Sequence, residues 1–158
     1  MIIYTDGSAH PNPGPGGYGV FVMDDNNKLI ECYSHQEAPT TNNIMELKAV
    51  LFSFLRYGRA VANCNSNEIP IVYSDSNYVV QTFNNWMFGW ANRGWLKSDN
   101  KPPENLELIQ AYYNHYQKGF RINLQKVKGH QGILGNEIAD KLATETLTTQ
   151  EVYRLYGG

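Results

Sequence analysis

Four acidic residues stand in four different local settings in this 158-residue chain. Asp6 lies in Tyr4-Thr5-Asp6-Gly7-Ser8 and Asp75 in Tyr73-Ser74-Asp75-Ser76. Glu46 closes Thr40-Thr41-Asn42-Asn43-Ile44-Met45-Glu46, and Asp140 closes Gly135-Asn136-Glu137-Ile138-Ala139-Asp140. Asp6 and Asp75 each follow a short apolar run ending in Tyr-Thr or Tyr-Ser, the way a strand end delivers a side chain to a sheet edge. Glu46 and Asp140 are expected near the starts of two amphipathic helices. If these four elements converge, four carboxylates share one small site. Like charges that close cannot all stay ionised without a counter-charge. Hard divalent cations, which prefer oxygen ligands, supply one. Taken singly, each acid has a plainer role: a turn residue (Asp6), a helix-dipole partner (Glu46), an N-cap (Asp75), a surface acid (Asp140). Their conjunction points to a carboxylate-bound metal site.

Other residues could serve such a site. His130, in Lys128-Gly129-His130-Gln131-Gly132, precedes the helix of Asp140. An exposed loop histidine is its plain reading; beside a metal–carboxylate cluster it is a candidate for proton transfer. The run His10-Pro-Asn12-Pro-Gly-Pro-Gly-Gly17 is expected to form a stiff loop whose glycines let backbone approach a ligand. Thr40, Thr41, Asn42 and Asn43 offer helix N-caps, and the same groups can bind phosphate or sugar hydroxyls. In the segment Trp86-Met-Phe-Gly-Trp90-Ala-Asn-Arg93-Gly-Trp95, the tryptophans suit core packing, while Arg93 and Lys97 suit a nucleic-acid strand.

The elements that must position these groups follow from periodicity and punctuation. Strands are expected at residues 2–5, 18–23, 28–36, 69–74 and 120–127, the second and third joined as a hairpin by the Asp24–Asn27 turn. Helices are expected from Thr40–Asn43 to about Gly58, after Asp75, over 105–118 and over 135–147. Thr148 and Glu151 are spaced as a capping box for a short last turn. A hairpin followed by strand–helix–strand crossovers gives an α/β domain with a mixed sheet flanked by helices. Hydrophobic residues make up 42% and no tract is of low complexity, so disorder is excluded. No run is apolar enough to span a membrane and no signal segment opens the chain, so a cytoplasmic location is the expectation. Cys32 and Cys64 lack metal-ligand spacing and are expected to be free thiols. A net charge of −2 is not that of a broadly basic nucleic-acid binder, so any basic face must be segregated from the acids.

Five motifs together resemble the type 1 ribonuclease H family. They are Thr5-Asp-Gly-Ser8 with Asn12-Pro-Gly-Pro-Gly-Gly-Tyr-Gly19, Thr40-Thr-Asn-Asn-Ile-Met-Glu46, Ser74-Asp-Ser-Asn-Tyr-Val79, Val127-Lys-Gly-His130 and Gly135-Asn-Glu-Ile-Ala-Asp140, in the family's order. The resemblance implies a ribonuclease H-like fold with a five-stranded mixed sheet, its first three strands antiparallel and the strands of Asp6 and Asp75 adjacent and parallel. It implies a catalytic domain over residues 1–147 and a short C-terminal tail over 148–158, which matches no motif of the family. It implies endonucleolytic cutting of RNA in RNA–DNA hybrids, leaving 5′-phosphate and 3′-hydroxyl ends. Asp6, Glu46, Asp75 and Asp140 match the family's metal-binding acids, with two Mg²⁺ ions in catalysis and Mn²⁺ as a substitute, and His130 matches its loop histidine. Asn12, Asn42 and Asn43 match contacts to 2′-hydroxyls. Thr41 and Asn105 match contacts to a DNA-strand phosphate. Trp90, Arg93 and Trp95 fall in a segment similar to a basic, substrate-binding handle. Here Ala91, Asn92 and Glu104 depart from the basic pattern, which implies a weak grip by the handle.

Three other readings stay open at this level. One is a silent hybrid-binding module, against which the intact acids count. Another is a related nuclease acting on DNA, against which the asparagines count. The third is the ribonuclease H domain of a reverse transcriptase, against which an opening Met immediately before the first strand counts. A monomer is the expected state.

Overall fold

The computed structural model describes residues 1–127 and 134–157. Strands β1 (Ile2–Ala9), β2 (Gly14–Met23) and β3 (Leu29–Thr40) form an antiparallel meander. Helix α1 (Asn42–Tyr57) follows, then the short strand β4 (Arg59–Ala60) and β5 (Ile71–Ser74). Helices α2 (Asn77–Gln81) and α3 (Met87–Asn92) are joined by a π-helical turn, Thr82–Trp86. Helix α4 (Leu106–Gln117), strands β6 (Phe120–Arg121) and β7 (Asn123–Lys126), and helices α5 (Leu134–Ala143) and α6 (Thr149–Tyr156) complete the chain. The main sheet runs β3-β2-β1-β5-β7, and β1, β5 and β7 pair in parallel. This is the expected five-stranded mixed sheet.

Alternation on β1 sends its two sets of side chains to opposite faces. Ile3 joins Leu47, Val50, Phe54, Val72, Phe83 and Ile109 in a core built with α1, α2 and α4. Tyr4 packs on the other side, where Phe21, Met23, Cys32, Ile138, Leu142 and Val152 form a second core under α5 and α6. Both cysteines are free. Among the described residues no helix is long and apolar enough to cross a membrane.

Several expected boundaries shift: β3 runs on to Thr40, four residues past the expected end, and α5 stops at Ala143, four residues short of it. β1 runs on through Asp6 to Ala9, because it pairs with β2 along its whole length, Asp6 opposite Gly19 and Ala9 opposite Gly16. Gly14 to Gly17 are therefore strand rather than loop. The glycines serve protein packing: a Cβ on Gly16 would collide with Ser8 and Thr40, and one on Gly17 with Gln36. The strand read over 120–127 splits, because Phe120 and Arg121 leave the main sheet to pair with β4. Residues 69 and 70 lie outside β5, in keeping with the lost donor at Pro70.

Most of the segment read as a tail is helix α6. The capping box forms as its spacing predicts: Thr148 Oγ1 accepts from Glu151 N–H at 3.1 Å, and Glu151 accepts from Thr148 N–H at 3.2 Å. Val152 is fully buried, Tyr156 meets Phe21 edge-on, and Cys32 N–H donates to Tyr153 Oη at 3.1 Å. Val152→Ala should lower folding stability by about 2 kcal/mol, two buried methyl groups plus a small cavity. Chemical denaturation checks this; an unchanged midpoint would mean that α6 merely lies on the surface.

Candidate active site

The parallel ladder of β1 and β5 ends at Tyr4 opposite Tyr73. Beyond it Thr5 Oγ1 donates to Tyr73 O at 2.8 Å, tying the diverging strands together just before Asp6 and Asp75. The two acids thus lie just past the carboxyl end of the parallel β1–β5 ladder, Asp6 within β1 and Asp75 directly after β5, where open α/β sheets form their crevices. Asp75 does not cap α2; Ser76 does, its Oγ accepting from Val79 N–H at 3.2 Å. Glu46 comes from the other side of the sheet, one turn into α1 rather than in its first turn. It gets there because Gly7 has no side chain: a Cβ would collide with the Met45 carbonyl carbon and Glu46 N. Asp140 lies in the second half of α5, not near its start, and comes within hydrogen-bonding reach of Asp6. A second close contact seats α5, where a Cβ on Gly19 would strike Ala139 O.

Asp6, Glu46 and Asp75 can each aim one oxygen so that all three lie within 4.8 Å of one another. Asp6 and Glu46 are buried and Asp75 is half-buried. Burial, then the charges of Asp75 and Asp140, pushes the Asp6 carboxyl up to about 8, although Gly7 N–H donates to it at 2.9 Å. Burial, then Asp6 and Asp75, likewise holds Glu46 well above the usual carboxylate range. Glu46 Oε2 is buried without a hydrogen-bond partner. No cation among the described residues forms a salt bridge with Asp6 or Glu46. Converging hard oxygens, one of them orphaned, with no Lys or Arg paired to Asp6 or Glu46 among the described residues, fit a divalent metal ion. His130 lies outside the described residues.

The RNase H family profile matches residues 1–148. The chain belongs to the RNase H family. It is 41% identical over 143 residues to the ribonuclease H of Cupriavidus metallidurans, covering 90% of this chain and 92% of the relative. It is 36% identical over 159 residues to ribonuclease HI of Rickettsia prowazekii, covering 99% of this chain and 97% of the relative. The solution structure of the PFV RNase H domain superposes with a TM-score of 0.72 at 25% identity, covering 91% of this chain and 92% of that domain.

In this RNase H family member two grooves share Glu104 in their linings. One, of about 340 Å³, is lined by Asn12, Pro13, Thr41, Asn42, Asn43, Ile44, Glu104 and Asn105. Five residues singled out from the sequence thus share one wall. Their hydrogen bonds orient them. Asn12 Oδ1 accepts from Asn42 N–H at 3.0 Å, and Asn42 Oδ1 accepts from Ala9 N–H at 2.6 Å. With both carbonyl oxygens engaged by backbone, the two amides keep their NH₂ groups as donors to a ligand. Thr41 is the N-cap of α1, accepting from Ile44 N–H at 3.1 Å, which leaves its hydroxyl proton to donate. Asn105 caps α4 in the left-handed region, φ 60°, and its Nδ2 donates to Tyr78 Oη at 3.3 Å.

The second groove, of about 280 Å³, is lined by Tyr78, Trp86, Trp90, Lys97, Pro103 and Glu104. Of Trp90, Arg93 and Trp95, Trp90 alone is in its lining. Trp95 turns away to pack edge-on against Tyr113 at 5.2 Å, and the Arg93 side chain folds onto its own turn, Nε donating to Leu96 O at 3.3 Å. Lys97, read from the sequence as a nucleic-acid contact, lines the groove; Tyr78 was given no binding role, and Trp86, read as suited to core packing, is 43% exposed and 6.1 Å from the Trp90 ring. Tyr78 and Trp86 are eight residues apart, which is off-phase on a regular α-helix. The π turn absorbs one extra residue and returns Trp86 to the face of Tyr78, their rings 6.4 Å apart.

Proposed function

We propose that this RNase H family member cuts the RNA strand of RNA–DNA hybrids at the carboxylates of Asp6, Glu46, Asp75 and Asp140. The observation that carries the reading is the convergence of three of these acids from three separate elements, oxygens within 4.8 Å, beside a wall of outward-facing asparagine donors. In this reading the four acids hold two Mg²⁺ ions, with Mn²⁺ as a substitute. Such ions, when bound, activate water and stabilise the leaving oxygen in an in-line displacement at phosphorus. The products carry 5′-phosphate and 3′-hydroxyl ends.

The chain's own residues choose the strand. Asn42 and Asn43 lie four and three residues before Glu46, one helical turn away on the same face of α1. A ribose whose 2′-hydroxyl meets their NH₂ groups, and that of Asn12, therefore places its phosphate near Glu46. A DNA strand offers those donors no partner. The wide minor groove of an A-like duplex exposes 2′-hydroxyls to short polar side chains of this kind. Thr41 and Asn105 then face the partner strand's phosphate, and its sugars and bases continue over half-buried Trp90 and Trp86, whose exposed ring suits stacking. Residues 1–147 carry this chemistry, while 148–158 support it from the α5 side. In this reading the protein acts as a cytoplasmic monomer, one chain carrying all four acids. A labelled hybrid, beside double-stranded DNA, double-stranded RNA and single strands, with and without Mg²⁺, tests the reading. RNA cleavage confined to the hybrid and dependent on the ion is expected; cleavage of DNA, or none, would refute it.

His130 is assigned an auxiliary part, proton transfer or help in product release. The metal-bound acids suffice for residual turnover, so His130→Ala should lower kcat by about 10²-fold or less, with little change in KM. Steady-state kinetics on a defined hybrid decides this. A loss as complete as that from removing a metal-binding acid would make His130 indispensable.

A further inference from the structure

Glu104 is exposed, directly precedes the cap of α4, and lines both grooves. Among the described residues the asparagine groove is lined by no Lys, Arg or His, and Glu104 is the one charged residue there. Among the described residues of the tryptophan groove Lys97 is the one cation, and its Nζ is 3.9 Å from Asp99. A polyanion following both grooves therefore meets no net positive charge from the described residues that line them, and it passes a carboxylate that lines both. Nucleic-acid binding usually draws much of its affinity from neutralised phosphates. Here that contribution is opposed at its centre, and hydrogen bonds and stacking must carry recognition.

We infer that Glu104 is an affinity-determining residue, whose carboxylate repels the duplex backbone at the junction of the grooves and so sets the KM for hybrid. The inference rests on the activity proposed above. A plainer role is stabilisation of α4, since a carboxylate before a helix start favours the helix dipole. That role predicts a lower melting temperature for Glu104→Gln and no salt-dependent effect on KM.

The experiment compares wild type, Glu104→Gln and Glu104→Lys in steady-state hydrolysis of one hybrid, at low salt and at about 0.5 M KCl, where screening shortens charge interactions to a few ångströms. At low salt KM should fall by ~3- to 10-fold from Glu to Gln, and again from Gln to Lys, as expected for unit charges separated by roughly 7 Å near a wet surface. kcat should hold, and the gain should shrink at high salt. The constant for inhibition by double-stranded DNA should fall in parallel, because phosphate repulsion does not depend on the sugar. Equal KM values in all three proteins, or a gain indifferent to salt, would overturn the inference. Absence of hybrid cleavage in wild type would instead overturn the activity on which it rests.

Discussion

Asp6→Asn and, separately, Asp75→Asn should each leave at most about a thousandth of wild-type kcat on a hybrid, a rise in barrier of roughly 4 kcal/mol. Both side chains lie just past the end of the β1–β5 ladder and aim oxygens at one point with Glu46. An amide keeps the shape and one oxygen but loses the charge that offsets a divalent ion. Asp6 should be the more sensitive, being buried and in contact with Asp140 as well as the other two acids. The fold should survive in both. At position 6 the substitution removes a carboxyl that burial and its neighbours hold in an unfavourable setting, so metal-free Asp6→Asn should melt higher than metal-free wild type. Turnover within tenfold of wild type in either variant would remove these acids from the metal site. A lost near-ultraviolet circular dichroism spectrum would mean that activity was lost with the fold.

The carboxylates were legible because strand ends and amphipathic helix patterns are local. Tyr4-Thr5-Asp6 and Tyr73-Ser74-Asp75 announce themselves, and the parallel pairing of their strands was implied by the family resemblance. What brings Glu46 to Asp6 was not legible. It depends on Gly7 meeting the α1 backbone some forty residues on, and a glycine after an aspartate reads first as a turn. The same ambiguity hid the run of β1 to Ala9 and of β2 back to Gly14, where glycines signal close packing inside a strand. Asp75 competed with Ser76 for the cap of α2, and one sequence position cannot decide which side chain turns inward.

The proposed nucleic-acid face was half legible. Asn12, Thr41, Asn42, Asn43 and Asn105 were named and do share a groove, but the amide orientations rest on backbone partners supplied by distant elements. Around the tryptophans the regular helical period misleads, because the turn Thr82–Trp86 changes phase. The exposed ring is Trp86, set against half-buried Trp90, while Trp95 and Arg93 serve their own turn. For α6 the capping box was visible, but nothing local says that Val152 fills a hole beneath β2 and β3.

The metal-free protein should lose stability as pH rises from about 4 to about 8, and a divalent ion should restore it. The folded state holds Asp6 at about 8 against an ordinary 3.8, and Glu46 well above 4.5, burial being the first cause of both. A folded-state value raised above the unfolded one means that the unfolded chain releases its proton first. The stabilising contribution is therefore complete below about 4 and lost as pH climbs through the folded value. One proton retained across this window is worth about 1.4 kcal/mol per pH unit, so a loss on the order of a few kcal/mol is expected. His115 runs the other way. Burial lowers it, so its contribution is present above its ordinary 6.5 and lost as pH falls. The difference between wild type and Asp6→Asn cancels that background, and it should narrow toward pH 4 and widen toward pH 8. An ion that binds only the folded, deprotonated site adds about 2.7 kcal/mol at a hundred times its Kd. Its stabilisation should therefore grow with pH, the reverse of the metal-free trend. Thermal melts in EDTA and in MgCl₂ from pH 4 to 9, on both proteins, read all of this at once. A metal-free difference that stays constant with pH would separate Asp6 from the coupled carboxylates. An Mg²⁺ effect equal at pH 5 and pH 8 would mean that the ion binds somewhere other than at these acids.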